Sequence, residues 1–111
     1  MAPKICHAVF FSLDPEKMAA NLPGNAVEEN LQRLRDTVPG LLEVNMGRAE
    51  TALFPGYVAC CGDYTHCLVS KHVDAAAFQA CSTHPSQVAF AELLKASFAS
   101  APIRIDFELK E

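Results

Sequence analysis

The chain has 111 residues, half of them hydrophobic, with a formal net charge of −4 at pH 7 and an isoelectric point near 5.5. This length predicts one domain over residues 1–111, since domains commonly contain about 100 to 150 residues. The nine Lys and Arg residues are scattered, which argues against a nucleic-acid-binding surface. The sequence also contains no window of about 18 apolar residues, which argues against a membrane span. We therefore expect neither nucleic acid nor membrane as a partner.

The cysteines indicate a reducing compartment. There are five of them, an odd number, and they form neither a CxxC pair nor a spacing typical of a secreted disulfide scaffold. We therefore expect free thiols and an intracellular, cytoplasmic location. Cys60 and Cys61 are adjacent in a predicted loop, where exposed thiols would be sensitive to oxidation.

The first half of the chain predicts a strand, a helical segment and a second strand. Residues 4–13 (KICHAVFFSL) are apolar at both alternating sets of positions, which indicates a strand buried on both faces. Asp14 is predicted to cap a short helical segment that Pro23-Gly24 ends. Over residues 25–37, apolar side chains recur at spacings of three and four, which predicts an amphipathic helix. Residues 41–49 alternate between apolar and polar, as a half-buried strand does.

The second half repeats this pattern after a loop over residues 50–62. Residues 63–73 predict a third strand that is apolar on both faces. An alanine-rich helix capped by Asp74 is predicted to run through Cys81. A further helix is predicted over residues 86–99, and residues 103–109 alternate as a final strand.

The element order β-α-β-β-α-β predicts an α+β, ferredoxin-like fold: a four-stranded antiparallel sheet with helices on one face. The first and third strands have no polar face, so something other than water should cover the second face of the sheet. A second copy of the same sheet is the simplest cover. The sequence therefore predicts a homodimer in which two sheets form an α/β barrel.

Three histidines fall where predicted elements should meet. His7 and His66 lie in strands, and His84 precedes Pro85 at a helix start. If the two strands are neighbours, His7 and His66 could face one cavity, where imidazole can serve as a base or hydrogen-bond partner. In the alternative interpretation each histidine is a hydrogen-bonded wall residue, and His84 caps its helix. His72, near a strand end, is predicted to be a solvated edge residue without a role.

A zinc site is a weaker alternative. Cys60, Cys61, His66 and Cys67 lie within eight residues of one another, and thiolate and imidazole are zinc ligands. However, adjacent residues in an extended chain point in opposite directions, so four ligands could converge only at a bend. We therefore predict no metal site and no cofactor.

Several motifs, in this order, resemble the stress-responsive dimeric α/β-barrel family. They are a first strand with His7, then VPGLLEVNMGR at 38–48, DYTHCLVSKHVDAAAFQACSTHPSQVAF at 63–90, and IDFEL at 105–109. The resemblance covers nearly the whole chain and implies the two-sheet barrel of a dimer. The family includes plant stress proteins and olivetolic acid cyclase, which folds a polyketide chain by aldol chemistry in a pocket between helix and sheet.

Compared with that cyclase, the chain retains several pocket positions but not the catalytic pair. Its His7 and His66 match two histidines of the cyclase pocket, His84-Pro85 matches the HP turn of the cyclase, and Asp106 matches an aspartate in its last strand. Asp106 lies between two apolar residues of the last predicted strand, so it points either to water or to a histidine that it could orient.

The two catalytic positions of the cyclase carry other residues here. Cys81 replaces a tyrosine, and Gln87 replaces the catalytic histidine. An amide cannot act as a general base, so we do not expect the same reaction by the same residues. A different arrangement stays open, in which His7 or His66 removes a proton and Gln87 or Tyr64 donates a hydrogen bond to the oxyanion.

Three functions are therefore under consideration. The leading hypothesis is a stress-responsive dimer that binds a small apolar or aromatic ligand between sheet and helices. The second is a polyketide cyclase-like enzyme or another lyase, and the third is a structural protein that assembles beyond the dimer. The candidate catalytic residues are His7 and His66, and the candidate ligand-binding residues are Tyr64, Cys81, His84, Gln87, Phe90 and Asp106.

Overall fold

The computed structural model describes residues 2–110. All four strands form one antiparallel sheet in the order β2-β3-β1-β4, which confirms the predicted α+β, ferredoxin-like fold. Each α of the predicted β-α-β-β-α-β order consists of two helices, one for each of the predicted helical segments. In chain order, the elements are β1 (Lys4–Leu13), α1 (Pro15–Asn21), α2 (Ala26–Thr37), β2 (Leu41–Arg48), β3 (His66–His72), α3 (Ala75–Cys81), α4 (Pro85–Lys95) and β4 (Phe98–Leu109).

Two aspartates fix helix starts as predicted. The Asp14 carboxylate accepts hydrogen bonds from the backbone N–H groups of Glu16 and Lys17, each at 3.0 Å, at the start of α1. Asp74 accepts from the N–H of Ala77 at 2.8 Å in the same way at α3. These bonds satisfy amide groups that have no partner inside the helix.

The last helix and strand differ from the prediction. The helix expected over residues 86–99 ends at Lys95, and β4 begins at Phe98 rather than at residue 103. The Asp14 N–H donates to the Ser97 carbonyl at 2.8 Å, which ties this segment to the end of β1. Phe98 fits a helical pattern, yet its ring packs against that of Phe11 across the sheet, with centroids 6.0 Å apart. Tertiary pairing therefore overrides local periodicity here.

The sheet has two different faces. The helix face carries Val9 and Phe11 of β1, which pack with Leu34, Phe90 and other buried residues of the helices in the core. The opposite face, called the outer face below, carries large apolar side chains that are exposed in the single chain. The most exposed of these are Val69 at 49%, Ile103 at 48%, Ile105 at 56% and Phe107 at 52%.

Candidate active site

The strand register brings three polar residues into one row on the helix face. His7 of β1 lies opposite Ser70 of β3 on one side and Asp106 of β4 on the other. Residues directly opposite on antiparallel strands point to the same face, so the three side chains are neighbours. Of the two orientations expected for Asp106 from the sequence, the structure therefore has the one that faces a histidine.

His7 and Asp106 are hydrogen-bonded. The distance between His7 Nδ1 and Asp106 Oδ1 is 2.5 Å, and the His7 side chain is only 15% exposed. A carboxylate that accepts from Nδ1–H holds the imidazole in one orientation and leaves the lone pair on Nε2. Arg104 lies farther away, with Nε 3.8 Å from Asp106 Oδ2, and is 70% exposed, so it contributes little to the charge balance of this pair.

A small cavity, called the inner cavity below, lies between His7, β3 and the helices. Its volume is about 100 Å³, and its wall includes Cys81 and Gln87. The Phe78 ring, also in the wall, has its centroid 5.0 Å from that of His7 and 4.9 Å from that of His72. Burial raises the pKa of the Cys81 thiol, which keeps it protonated and neutral.

A larger cavity, called the outer cavity below, lies on the other side of His7. Its volume is about 360 Å³, within the usual range of small-molecule sites of about 300 to 1,000 Å³. It shares His7, Gln87 and Arg104 with the inner cavity. The rest of its wall is mostly apolar and consists of Val9, Phe11, Ala91, Leu94, Phe98 and Pro102, with Lys95 as the added charge.

His66 does not join this site. It pairs with Phe11 in the register, four positions along β1 from His7, which is about 13 Å at the usual rise of a strand. It lines a separate cavity of about 500 Å³ that also includes Arg48. Burial and the charge of Arg48 lower the pKa of His66. The expectation that His7 and His66 face one cavity is therefore wrong, because the pairing register separates them along the sheet.

Three other predicted ligand-binding residues also lie away from the two cavities beside His7. Tyr64 packs near the Phe10 ring, with centroids 6.2 Å apart, and lines a different cavity. Phe90 is 1% exposed and belongs to the core. His84 Nδ1 accepts a hydrogen bond from the Ser86 N–H at 3.2 Å, so it caps α4 as the alternative interpretation holds.

The sequence prediction missed His72. Instead of being solvated, it is 2% exposed, and its Nε2 lies 3.0 Å from Ser70 Oγ. Burial and the nearby His7 lower its pKa, an effect that Asp106 partly opposes. The missed signal is parity, because His72 shares its alternating set with buried Leu68 and Ser70.

The cysteines do not form a metal site among the described residues. All five are free thiols, and Cys60 is exposed. Within residues 2–110, no three side chains of His, Cys, Asp or Glu are arranged to hold a metal ion. Cys60, Cys61, His66 and Cys67 do line one cavity together, although without metal-site geometry. Among those residues there is also no helix long and apolar enough to cross a bilayer.

The four-stranded antiparallel sheet with helices on one face makes the protein an α+β, ferredoxin-like domain with cavities between sheet and helices. The family model for the stress responsive A/B barrel domain matches residues 5–109. The chain belongs to this family, as the motifs predict. No curated protein matches the sequence closely enough to count as a relative.

Solved structures share the fold at low sequence identity. A dimeric ferredoxin-like protein of unknown function from Jannaschia sp. is 22% identical, with a TM-score of 0.74 over 96% of this chain and 99% of that one. A hydroxynitrile lyase from Passiflora edulis is 16% identical, with a TM-score of 0.72 over 100% and 97% of the two chains. A putative antibiotic biosynthesis monooxygenase from Caulobacter crescentus is 14% identical, with a TM-score of 0.77 over 99% and 92%.

Proposed function

We propose that this protein binds a small aromatic or apolar ligand carrying one polar group, in the two cavities that meet at His7. One observation carries the proposal: His7, hydrogen-bonded to Asp106, is a polar group in the walls of two cavities that are otherwise mostly apolar. Ligand sites are typically apolar, with a few placed polar groups that fix orientation. His7 is such a group.

The outer cavity suits the apolar part of the ligand. Phe11, Leu94 and Phe98 offer a surface on which an aromatic ring can be removed from water. Burying apolar surface contributes about 25 cal/mol per Å² to the free energy of binding before the costs of association. The polar group of the ligand would then lie next to His7 Nε2, with the Gln87 amide within the same wall.

A second candidate function is catalysis by proton transfer, which the His7–Asp106 bond favours. A base held in orientation by a carboxylate is the usual arrangement of general base catalysis. His7 Nε2 would accept a proton from the carbon next to a carbonyl group, and the C–H electron pair would form the C=C bond of an enolate. The negative charge would reside on oxygen, where the Gln87 amide can donate a hydrogen bond. Attack of that enolate on a second carbonyl is the step of an aldol cyclisation.

The known structures of this fold are compatible with either function. One is named a hydroxynitrile lyase and another a putative monooxygenase, so the fold accommodates different chemistries. Their identity to this chain is too low to transfer a substrate. The choice therefore depends on the site itself.

Acetophenone tests both candidates, since it has an aromatic ring, a carbonyl group and exchangeable methyl protons. We expect it to bind to the wild type in a calorimetric titration. Ala91→Phe should fill the outer cavity and weaken binding about tenfold or more, because overpacking costs about 1 to 3 kcal/mol. Ala89→Phe is the matched control on the exposed side of the same helix and should leave binding unchanged. Equal affinity in all three proteins would refute the proposed site.

The same probe reports proton transfer when the solvent is D₂O. If His7 acts as a base, the wild type should accelerate deuterium exchange at the methyl group, as seen by proton NMR. His7→Phe should reduce the acceleration about a hundredfold, and Asp106→Asn should reduce it less, since it removes only the orienting carboxylate. If acetophenone binds but deuterium exchange is not accelerated, the ligand-binding function stands and this catalysis is excluded.

A further inference from the structure

The cavity lined by His66 lies beside α1, away from His7, and has no part in the proposed function. It is called the α1 cavity below. Its volume is about 500 Å³, within the usual range of about 300 to 1,000 Å³ for small-molecule sites. Most of its wall is apolar and includes Leu13, Pro15, Met18, Ala19, Leu22 and Pro23. The polar part of the wall consists of Arg48, Thr65 and His66.

Arg48 and His66 are neighbours in the polar part of this cavity. They lie directly opposite each other in the register of β2 and β3. Directly opposite residues of antiparallel strands point to the same face, with Cβ atoms about 5 Å apart. Arg48 shares its alternating set with buried Val44, so both side chains lie on the helix face. The described wall of the cavity therefore combines a guanidinium group with an imidazole, and it contains no Asp or Glu.

Arg48 has no partner for its charge among residues 2–110. It forms neither an ion pair nor a hydrogen bond with them. The other three arginines, Arg33, Arg35 and Arg104, each contact an amide or carboxylate side chain. Burial and the charge of Arg48 lower the pKa of His66, so the positive charge acts on the neighbouring ring. An anionic group is the ligand that complements this charge.

Thr65 holds the imidazole of His66 and leaves one ring nitrogen for a ligand. Thr65 Oγ1 accepts from the Leu13 N–H at 3.0 Å. The same oxygen lies 2.7 Å from His66 Nδ1, closer than the 3.3 Å to the Phe11 carbonyl. When the hydroxyl donates to Nδ1, the ring proton lies on Nε2. This Nε2 forms no hydrogen bond within residues 2–110, and it is accessible, since the buried side-chain polar atoms without a partner there consist of His72 Nδ1 alone.

We propose that the α1 cavity is a second binding site, which takes a medium-chain aliphatic carboxylate. Arg48 and the Nε2–H of His66 donate hydrogen bonds to the carboxylate oxygens, and the alkyl chain packs against Met18 and Leu22. A planar guanidinium matches a carboxylate, and such charge-assisted hydrogen bonds are strong.

The apolar wall indicates an alkyl chain rather than an aromatic group. Apart from the imidazole of His66, the described part of the wall contains no aromatic ring. The outer cavity, in contrast, includes the rings of Phe11 and Phe98. Each methylene group that is removed from water strengthens binding by about fourfold. A chain of several methylene groups therefore supplies most of the affinity, and the carboxylate supplies the selectivity.

The test compares octanoate with 1-octanol, which has the same chain length but no charge. Dissociation constants at pH 7.5 are measured by NMR titration. The wild type should prefer octanoate about tenfold, because only the carboxylate pairs with the guanidinium. Arg48→Gln should bind both probes about equally. Arg33→Gln is the control: it removes the same charge from an exposed position of α2 outside the cavity, so it should keep the preference.

Two variants of α1 locate the alkyl chain. Ala19→Phe places a ring in the wall of the cavity and should weaken binding of both probes about tenfold or more, because the ring occupies the space of the chain. Ala20→Phe is the matched control, since Ala20 is the next residue of the same helix and lies outside the wall. It should bind both probes as the wild type does.

The proposal fails if the wild type binds neither probe. Equal affinity of the wild type for the two probes, or a preference that survives Arg48→Gln, shows that Arg48 does not recognise the carboxylate. Equal affinities in Ala19→Phe and Ala20→Phe show that the chain binds elsewhere. These results are separate from the binding of acetophenone at His7, so the two sites can stand or fail independently.

Discussion

At the scale of single residues, the histidines differ because their surroundings differ. His7 has a carboxylate as a partner, whereas His72 is buried against a hydroxyl and an aromatic ring. Desolvation disfavours the charged form of His72, and the nearby His7 adds to this effect. The folded state therefore favours the neutral form of His72, which makes stability depend on pH.

We predict that the protein loses stability when the pH falls below about 6.5, the usual pKa of histidine in an unfolded chain. Because the pKa of His72 is lowered in the folded state, the unfolded state binds the proton first, and stability decreases from that pH downward to the lowered pKa. One such group contributes at most about 1.4 kcal/mol per pH unit. Urea unfolding at pH 7.5 and 5.5 measures the difference.

His72→Phe should remove much of this pH dependence. His66→Phe is the comparison, because the pKa of His66 is also lowered but its side chain is only partly buried. It should therefore remove a smaller part. If the stability of His72→Phe falls between the two pH values as steeply as that of the wild type, His72 is not the group that titrates.

The sequence indicates some of these residues and not others, for physical reasons. Alternation within a strand predicts that His7 and Val9 share a face, and the motif with Asp106 suggests a partner. The register of the sheet determines which residue of a neighbouring strand lies opposite His7. This register cannot be read from a single sequence. That is why the sequence groups His66 with His7. The burial of His72 follows instead from alternation, since His72 shares a face of β3 with buried Leu68 and Ser70.

At the scale of elements, the turn before β2 depends on a glycine. Gly40 has a φ of +76°, and a Cβ atom there would lie 2.6 Å from Ala77 Cβ in α3. The Gly40 carbonyl also accepts a hydrogen bond from the Val73 N–H at 2.8 Å. The turn after α2 therefore contacts both the end of β3 and the side of α3. A side chain at this position would push these elements apart.

We predict that Gly40→Ala destabilises the fold by about 2 to 5 kcal/mol, the sum of about 1 to 2 kcal/mol of backbone strain and about 1 to 3 kcal/mol of steric overlap. The matched control is Gly56→Ala, since Gly56 has a φ of +83° and nothing within 4 Å of the added Cβ. It should cost only the backbone strain of about 1 to 2 kcal/mol. Urea unfolding measures the loss of stability in both variants, and the difference between the two losses is the cost of the steric contact with α3. Equal losses would show that this contact is not tight.

Strand and helix existence could be predicted at this scale, whereas some boundaries could not. Asp14 and Asp74 are caps with a local mechanism, so both helix starts were predictable. The change from α4 to β4 is not local. Phe98 satisfies helical spacing, and only its packing against Phe11 and the pairing of β4 with β1 place it in a strand.

At the scale of the whole molecule, a single chain leaves the apolar side chains of the outer face exposed to solvent. Ile103, Ile105 and Phe107 of β4 lie there about half exposed, together with Val69 of β3. Contiguous apolar surface of this kind usually marks an interface. The Jannaschia protein and two further ferredoxin-like neighbours are described as dimeric. We propose that two copies of this chain pair through their outer faces and form the predicted barrel.

This proposal predicts a mass in solution of twice the 12.0 kDa of one chain. Ile105→Asp should shift the equilibrium to monomer, because it places a charge in the centre of the buried surface, where a lone charge is costly. Val58→Asp is the control: Val58 is 76% exposed but lies in the loop before β3, so that variant should stay dimeric. Sedimentation equilibrium measures all three masses. A monomeric wild type, or a dimer that survives Ile105→Asp unchanged at micromolar concentration, would show that something else covers the outer face.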